Sequence, residues 1–584
     1  MGKINIEVRP VNHTIETMAL QEGYTDLQAR ILASRLSENS DLPGILKPTF
    51  SAIPNPTGMA DMEKGVQRIV EAIKNNERIV YICDYDVDGV DSAVVIYRSL
   101  YKAFGHTNCE PLIGHRMKDG YGVADTIVDR ILAMDVRPTL IMTADCGSSD
   151  QLRIKRLKEA GIDVVVTDHH QVPPEGPPID AYATINPNRL DCPYEEKRIC
   201  GAAVAYLVMV KVRNELHRQK IKEDLPSLTP LLGYVALATV ADCMAIGESP
   251  TNRIFIQAGL KIINLGLFPC WIAFMDLIGD DNCPVDTQTL GFQFGPRINA
   301  RSRMNDPMAS FYFLAADNVE EATKYLGELD TDNEARKAVE ALMTEEVIKR
   351  FNDEKYKDNL TLVTFLEEGH PGVQGIVSSR VTQQYGKPSI ILTPTRDYGV
   401  VGGSGRSITT INLHGIISEA RDGLPEGDVV KFGGHHAACG MSIKREAIPR
   451  FIDAIEEAAR AHLGDDTELV PCYDVDGAPN TRLGLALVDE INALAPYGFG
   501  FPLPIFNQSF VVSDVRLIGK DKNHLKLTLE DGDGHYDAIW FKAVDEEGEP
   551  LVKPGDRKLF LFEPGINTYR GQKKFQIRVV DIAD

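Results

Sequence analysis

The chain has 584 residues, a hydrophobic share of 43%, a charged share of 25% and a formal net charge of −22. At roughly 100–200 residues per domain this length calls for several domains, and the composition is globular, which excludes long disorder. The charge argues against a broad basic surface for duplex DNA, yet leaves room for a local basic channel and for an acidic site that collects divalent cations.

The opening run MGKINIEVRPVNHTIE has no apolar stretch of signal-peptide type. No apolar run reaches the roughly 20 residues of a membrane span. The expectation is a cytoplasmic protein without a membrane partner. Ten cysteines are scattered without a CxxC pair, a spacing that suits reduced thiols rather than disulfides or a zinc ribbon.

From about residue 66 helix and strand alternate. Residues 66–75 and 92–104 read as helices, and 78–83, 139–143 and 163–167 as short buried strands. Such alternation indicates βαβ units and a parallel sheet. Ala335, Val339, Leu342, Met343, Val347 and Phe351 recur at three- and four-residue steps, the stripe of a long connecting helix. A second α/β stretch runs from about 360 to 462. Residues 463–504 read as a Pro/Gly-interrupted linker with one helix near 483–494. Beyond 505, strictly alternating strands separated by Gly-rich turns suggest a small β-barrel. The expected organisation is therefore a first domain over 1–350, with an N-terminal extension and the connector helix. A second domain covers 351–462, the linker 463–504 and the barrel 505–584.

The acids sit where strands end. Asp84-Tyr85-Asp86-Val87-Asp88-Gly89 closes the first strand, Thr143-Ala144-Asp145-Cys146-Gly147 the next and Thr167-Asp168-His169-His170 the third. Ligands of open parallel sheets bind beyond the carboxyl ends of the strands. Five Asp and two His on one rim would repel one another without cations. Carboxylates mixed with imidazole suit Mn²⁺ or Mg²⁺ better than zinc, and two such ions about 3.5–4 Å apart serve phosphoryl chemistry. A calcium loop at DYDVDG lacks its twelfth-position Glu, since Tyr97 stands nearest in phase. Tyr473–Gly477 repeats YDVDG without acidic partners nearby, so a second metal site is not expected there.

DYDVDG, TADCG and VTDHH resemble the motifs of the DHH phosphoesterase family. HRMKDGYG (115–122), INPNR (185–189), CGAAVAYLV (200–208), ATVADCM (238–244), GPRINARSRM (295–304), GVQGIVSSR (372–380), GSGRS and GGHHAACG (433–440) extend the resemblance in order. It covers the chain from about residue 30 to the end. It is strongest to the family's single-strand-specific 5′→3′ DNA exonucleases. The resemblance implies an α/β fold: a parallel-sheet DHH domain, a second α/β domain of the DHHA1 type and a C-terminal OB-type barrel. It implies two ions, Mn²⁺ or Mg²⁺, held by Asp84, Asp86, Asp88, Asp145, His169 and Asp242, with Asp145 as the bridge. Asp86, Asp88, Asp145 and His170 would be the catalytic set, His170 lying beside the scissile phosphate. Read alone, Asp242 is a helix-end residue.

Arg297, Arg301 and Arg303 cluster in GPRINARSR, either as a solvated face or as guanidinium forks for phosphates. By resemblance, Arg303, Arg297, Arg380 and His435 line the strand path, and Arg116, Ser404 and Arg406 reach the 5′ phosphate. The His435-His436 pair, read alone, could equally be a metal site or a satisfied core pair. Tyr536, Trp540, Phe541 and Tyr569 either stack bases or fill the barrel. Two positions depart from the family pattern: Ser302 stands where Gly is usual, and His436 is an extra histidine. The implied substrate is single-stranded DNA, degraded to 5′ mononucleotides by a monomer that works beside a single-strand-binding protein and a helicase in repair and recombination. Two rivals are a hydrolase of short oligonucleotides or cyclic dinucleotides, and a non-catalytic replication scaffold.

Overall fold

The computed structural model describes residues 3–279, 284–464, 467–545, 547–569 and 572–583. Strand β1 (Asn5–Val8) precedes a first sheet made of β2 (Ile79–Cys83), β3 (Cys109–Ile113), β4 (Leu140–Ala144), β5 (Asp163–Thr167) and β6 (Ala183–Ile185). The five pair in parallel in the order β3-β2-β4-β5-β6. All of β2 and β4 is buried, which is why both read as unbroken apolar runs: a parallel sheet is covered on both faces. The chain leaves β2 for β3 on one side and returns to lay β4 on the other. The space beyond β2 and β4 is therefore a topological switch point, where α/β sheets bind ligands.

The helix expected at 92–104 begins earlier, as Val87–Tyr97, because Asp86 caps it by accepting the Gly89 amide. A π-helical turn, Arg98–Ala103, carries it on. The connector helix spans Val319–Phe351. Its expected stripe holds only in part. Met343, Val347 and Phe351 are buried but Leu342 is 69% exposed, because Asp332, Asn333, Arg336 and Glu340 share the inward face.

The second sheet contains β7 (Leu362–Phe365), β8 (Ser389–Pro394), β9 (Val400–Arg406), β10 (Val429–His435) and β11 (Ala438–Lys444), ordered β10-β11-β9-β8-β7. Only β7 and β8 run parallel. In the linker, β12 (Cys472–Val475) pairs in parallel with β1. The repeated YDVDG thus lies in and just past a strand. Its Asp476 takes a bidentate ion pair from Arg35, at 2.7 and 3.0 Å, with both side chains buried.

The last five strands are β13 (Phe506–Ile518), β14 (His524–Glu530), β15 (His535–Trp540), β16 (Arg557–Tyr569) and β17 (Gln572–Ala583). They close a barrel in the order β13-β14-β15-β17-β16. Leu525, Leu527 and Leu529 of β14 point inward at the period of two that a one-sided strand requires. Tyr536 and Trp540 are barrel core, whereas Phe541 is 51% exposed; the Tyr569 side chain lies outside the described residues. Ile15, Leu32 and Ile45 of the N-terminal extension, Leu487 of the linker helix Leu485–Asn492 and the barrel interior form one apolar cluster. Among the described residues no single helix is long and apolar enough to cross a membrane. The described cysteines are free thiols; Cys283 lies outside them.

A candidate metal centre and nucleic-acid cleft

β2, β4 and β5 are neighbours, so their carboxyl ends deliver three acidic segments to one rim. Candidate ligand atoms of Asp84, Asp86 and Asp145 lie within 4.8 Å of one another, as do those of Asp88, His169 and Asp242, and those of Asp145, His169 and His170. The His169 Nε2 is 3.1 Å from Asp145 Oδ1, 3.5 Å from Asp88 Oδ2 and 3.6 Å from Asp242 Oδ2. Asp145 belongs to two of the triads and stands between them.

Local structure explains the convergence. Asp145 has a left-handed backbone, φ 62°, a conformation uncommon outside glycine; it turns the carboxylate from the strand axis into the rim. Gly201 opens helix Gly201–Arg218 against it: a Cβ there would stand 2.7 Å from the Asp145 Cβ. That close approach lets the Gly201 and Ala202 amides donate to the two Asp88 oxygens, at 2.6 and 2.7 Å. Asp242 caps the C-terminus of helix Leu232–Ala241. Asp168 has a different task from the other rim acids. One of its oxygens accepts the His169 amide, the His170 amide and His170 Nδ1, the last at 2.9 Å, and the other accepts the Ser148 amide. Asn186 and Asn188 of INPNR donate to the His170 and His169 carbonyls and fix the loop from behind.

Burial, reinforced by neighbouring carboxylates, lifts Asp84 and Asp145 well above the usual carboxylate range and Asp242 to about 8. Burial lowers His169. Burial also opposes the charge of His170, but the Asp168 hydrogen bond prevails and lifts it to about 9. Asp84 Oδ1, Asp145 Oδ1 and His169 Nε2 are buried and find no hydrogen-bond partner among the described residues. Orphaned buried polar atoms are rare in folded proteins, and here they face one another. A divalent cation would complete them, and the oxygen-rich donor set with one imidazole fits Mn²⁺ or Mg²⁺.

Beside the rim lies a cleft of about 600 Å³ between the first sheet's domain, the connector helix and the second domain. Arg297, Arg303, Arg336, Lys337 and Arg380 line it. Arg303 reaches across to the Gly372 carbonyl at 2.7 Å; burial, with Arg116 and Arg336 beside it, brings it down to about 10. Arg297 faces the cleft while paired with Asp330 at 2.9 Å. Arg301 points elsewhere, onto Asp332 at 2.8 Å, so within GPRINARSR it acts as a staple. Arg380 and Arg336 both pair with the buried Glu340. Lys542 of the barrel has Arg380 and Glu340 as its charged neighbours, which sets the barrel near the same wall. The Ser302 hydroxyl donates to the Asn299 carbonyl inside its own helix, so the departure at that position is absorbed locally.

Arg116 lies over the Tyr85 ring, 4.1 Å from its centroid. Arg406 stands in the second domain, where its Nη1 donates to Ser404 Oγ at 3.0 Å and to the Gly405 carbonyl at 2.8 Å. Among the described residues the guanidinium has no carboxylate partner. It faces Gly375 at the start of helix Gln374–Tyr385, where a Cβ would be 3.1 Å from Arg406 Nη2 and 2.9 Å from Ser404 Oγ. Arg116 and Arg406 therefore belong to different domains, linked through Arg303 and the 372–375 segment. His435 is exposed and shares a cross-sheet row with Ala438 and Arg406; His436 is exposed in the turn beyond it. Sequence reasoning passed over Arg336, which carries no motif, and Tyr121, whose ring meets His170 edge-on at 5.3 Å.

Residues 78–239 match the DHH family, N-terminal domain, 359–461 the DHHA1 domain and 477–581 the RecJ OB domain. Fold, rim and matched domains together define a DHH phosphoesterase. The single-stranded-DNA-specific exonuclease RecJ of Haemophilus influenzae is 32% identical over 91% of this chain and 92% of its own length, and that of Escherichia coli 30% identical over 95% and 99%. The chain belongs to the RecJ family. The Mn²⁺ complex of Thermus thermophilus RecJ shares the fold over all of this chain and 79% of its own, with a TM-score of 0.77 at 22% identity.

Proposed function

We propose that the chain is an exonuclease that degrades single-stranded DNA from the 5′ end to 5′ mononucleotides, with two Mn²⁺ or Mg²⁺ ions, in DNA repair, recombination and replication. The observation that carries this reading is the set of buried, partnerless ligand atoms at the rim, next to a cation-lined cleft. Asp84, Asp86 and Asp145 would hold one ion, and Asp88, His169 and Asp242, with Asp145 shared, the other. When bound, the ions supply activation of a water and neutralisation of charge at both in-line oxygens of the phosphate.

The chain's own groups do the rest. His170, whose Nδ1 is held by Asp168, would present its Nε2 to an oxygen of the scissile phosphate. Arg297, Arg303 and Arg380 hold the phosphates of the following nucleotides, and their excess charge over the local carboxylates suits a polyanion. Ser404, Arg406 and the first amides of helix Gln374–Tyr385 form a pocket for the terminal phosphate, since helix N-termini and guanidinium forks both favour anions. Arg116 approaches from the opposite domain and His435 along the sheet row. The reading extends, on the family resemblance, to a cytoplasmic monomer that works beside a single-strand-binding protein and a helicase.

The test is a gel assay on 40-mers labelled at either end, against dinucleotides and cyclic dinucleotides, with Mn²⁺ or Mg²⁺. Rapid loss of a 5′ label as mononucleotide from long strands is expected. Preference for dinucleotides, release of the 3′ label first, or no turnover would each overturn the proposal.

A further inference from the structure

Phe292 lies in the π-helical segment Leu290–Phe294. Leu290 and Phe294 are fully buried, and Phe294 packs in an aromatic cluster with Trp271, Phe274 and Phe313. Phe292 is 75% exposed and lines the cleft that Arg303, Arg336, Lys337 and Arg380 also line. A singly exposed apolar side chain is ordinary on an open surface. This one stands in a wall of cations. The five cleft cations outnumber the carboxylates paired with them, Asp330, Glu334 and Glu340. The π-turn is the local cause: with residues 290 and 294 anchored in the core, the ring at 292 is thrust outward, and π-turns of this kind recur at functional sites. The Gln293 carbonyl accepts Arg297 Nη1 at 2.7 Å, which fixes the aromatic segment to the neighbouring guanidinium.

Cations that follow a phosphate chain, with an aromatic face beside them, form the recognition chemistry of single-stranded nucleic acid. We infer that Phe292 is a nucleobase-stacking residue: the strand whose phosphates run along Arg303, Arg336 and Arg380 lays one base on its ring. The contact is indifferent to sequence, because every base has a π face, and it adds affinity without adding charge. The inference rests on the single-strand reading above.

The experiment is fluorescence anisotropy of 5′-phosphorylated 20-mers in EDTA, which prevents cleavage. Phe292→Ala should weaken binding about tenfold, and Phe292→Trp should restore it. The slope of log Kd against log salt should not change in Phe292→Ala, whereas Arg336→Ala should lower it by about one, the signature of a lost phosphate contact. A single abasic site moved along the strand should weaken the wild type at one position where Phe292→Ala loses nothing further. Unchanged affinity in Phe292→Ala, a reduced salt slope in that variant, or equal sensitivity of both proteins to every abasic position would overturn the inference. Failure of the wild type itself to bind single strands would instead overturn the function proposed above.

Discussion

On the terminal-phosphate pocket proposed above, removing the Arg406 guanidinium should narrow the difference in rate between 5′-phosphorylated and 5′-hydroxyl strands. Arg406 Nη1 is already engaged by Ser404 Oγ and the Gly405 carbonyl. Nε and Nη2 remain for a ligand, enough for one bidentate contact. A terminal monoester carries more negative charge than an internal diester, so in the proposed pocket this fork would favour it. Hydrogen bonds to charged groups contribute about 1.5–3 kcal/mol. The half-buried position of Arg406 selects the lower part of that range, so Arg406→Ala should slow digestion of 5′-phosphorylated strands roughly 10- to 30-fold. Strands with a 5′ hydroxyl should be slowed much less. Lysine should rescue only in part, since it keeps the charge and loses the fork. Gly375→Ala should shift the ratio in the same direction, because its Cβ would press on Arg406 Nη2 and Ser404 Oγ. The assay is the ratio of initial rates on two strands that differ only at the 5′ end. An unchanged ratio in Arg406→Ala would remove this residue from the pocket.

Gly201→Ala should cut turnover by about 100-fold, the scale of a 1 Å misplacement, because the new methyl presses on Asp145; wild-type rates in a folded variant would refute the close-approach argument. In EDTA, stability should fall as pH rises from 5 to 8. Asp242 has a folded pKa of about 8, above its unfolded value, so its contribution is full below about pH 4 and lost as pH climbs through 8; His170, raised to about 9, acts in the same direction. Mn²⁺ should therefore raise Tm more at pH 8.5 than at pH 6, since the ion competes with protons, and an equal or inverted shift in melting experiments would contradict this. Deleting 505–584 should yield unfolded or aggregated protein, because the barrel shares its core with Ile15, Leu32 and Leu487. A soluble truncate with an intact melting transition would show that core to be dispensable.

The first sheet was legible because its strands are buried on both faces and end abruptly in acids. The order of neighbours, β2 beside β4 beside β5, is set by the folded sheet. Asp242 was not legible from local pattern, since its apolar helix brings it to the rim only in three dimensions; the family motif supplied it. Arg301 and Arg303 stand two residues apart in one motif, yet one faces Asp332 and the other the cleft, a difference set by helical phase against the connector helix. Arg336 and Glu340 escaped notice because charges on a long amphipathic helix read as solvated. The shared core of the N-terminal extension and the barrel joins segments more than 450 residues apart, beyond the reach of any periodicity.

The most direct test of the two-metal account is Mn²⁺ titration by calorimetry, paired with single-turnover cleavage of a 5′-phosphorylated strand, for the wild type and Asp145→Ala. In the function proposed above Asp145 is shared by both ligand sets, and on that reading the wild type should bind two ions per chain and cut. Asp145→Ala should stay folded, lose tight binding of at least one ion and lose cleavage. Two tightly bound ions or substantial cleavage in folded Asp145→Ala would contradict the account.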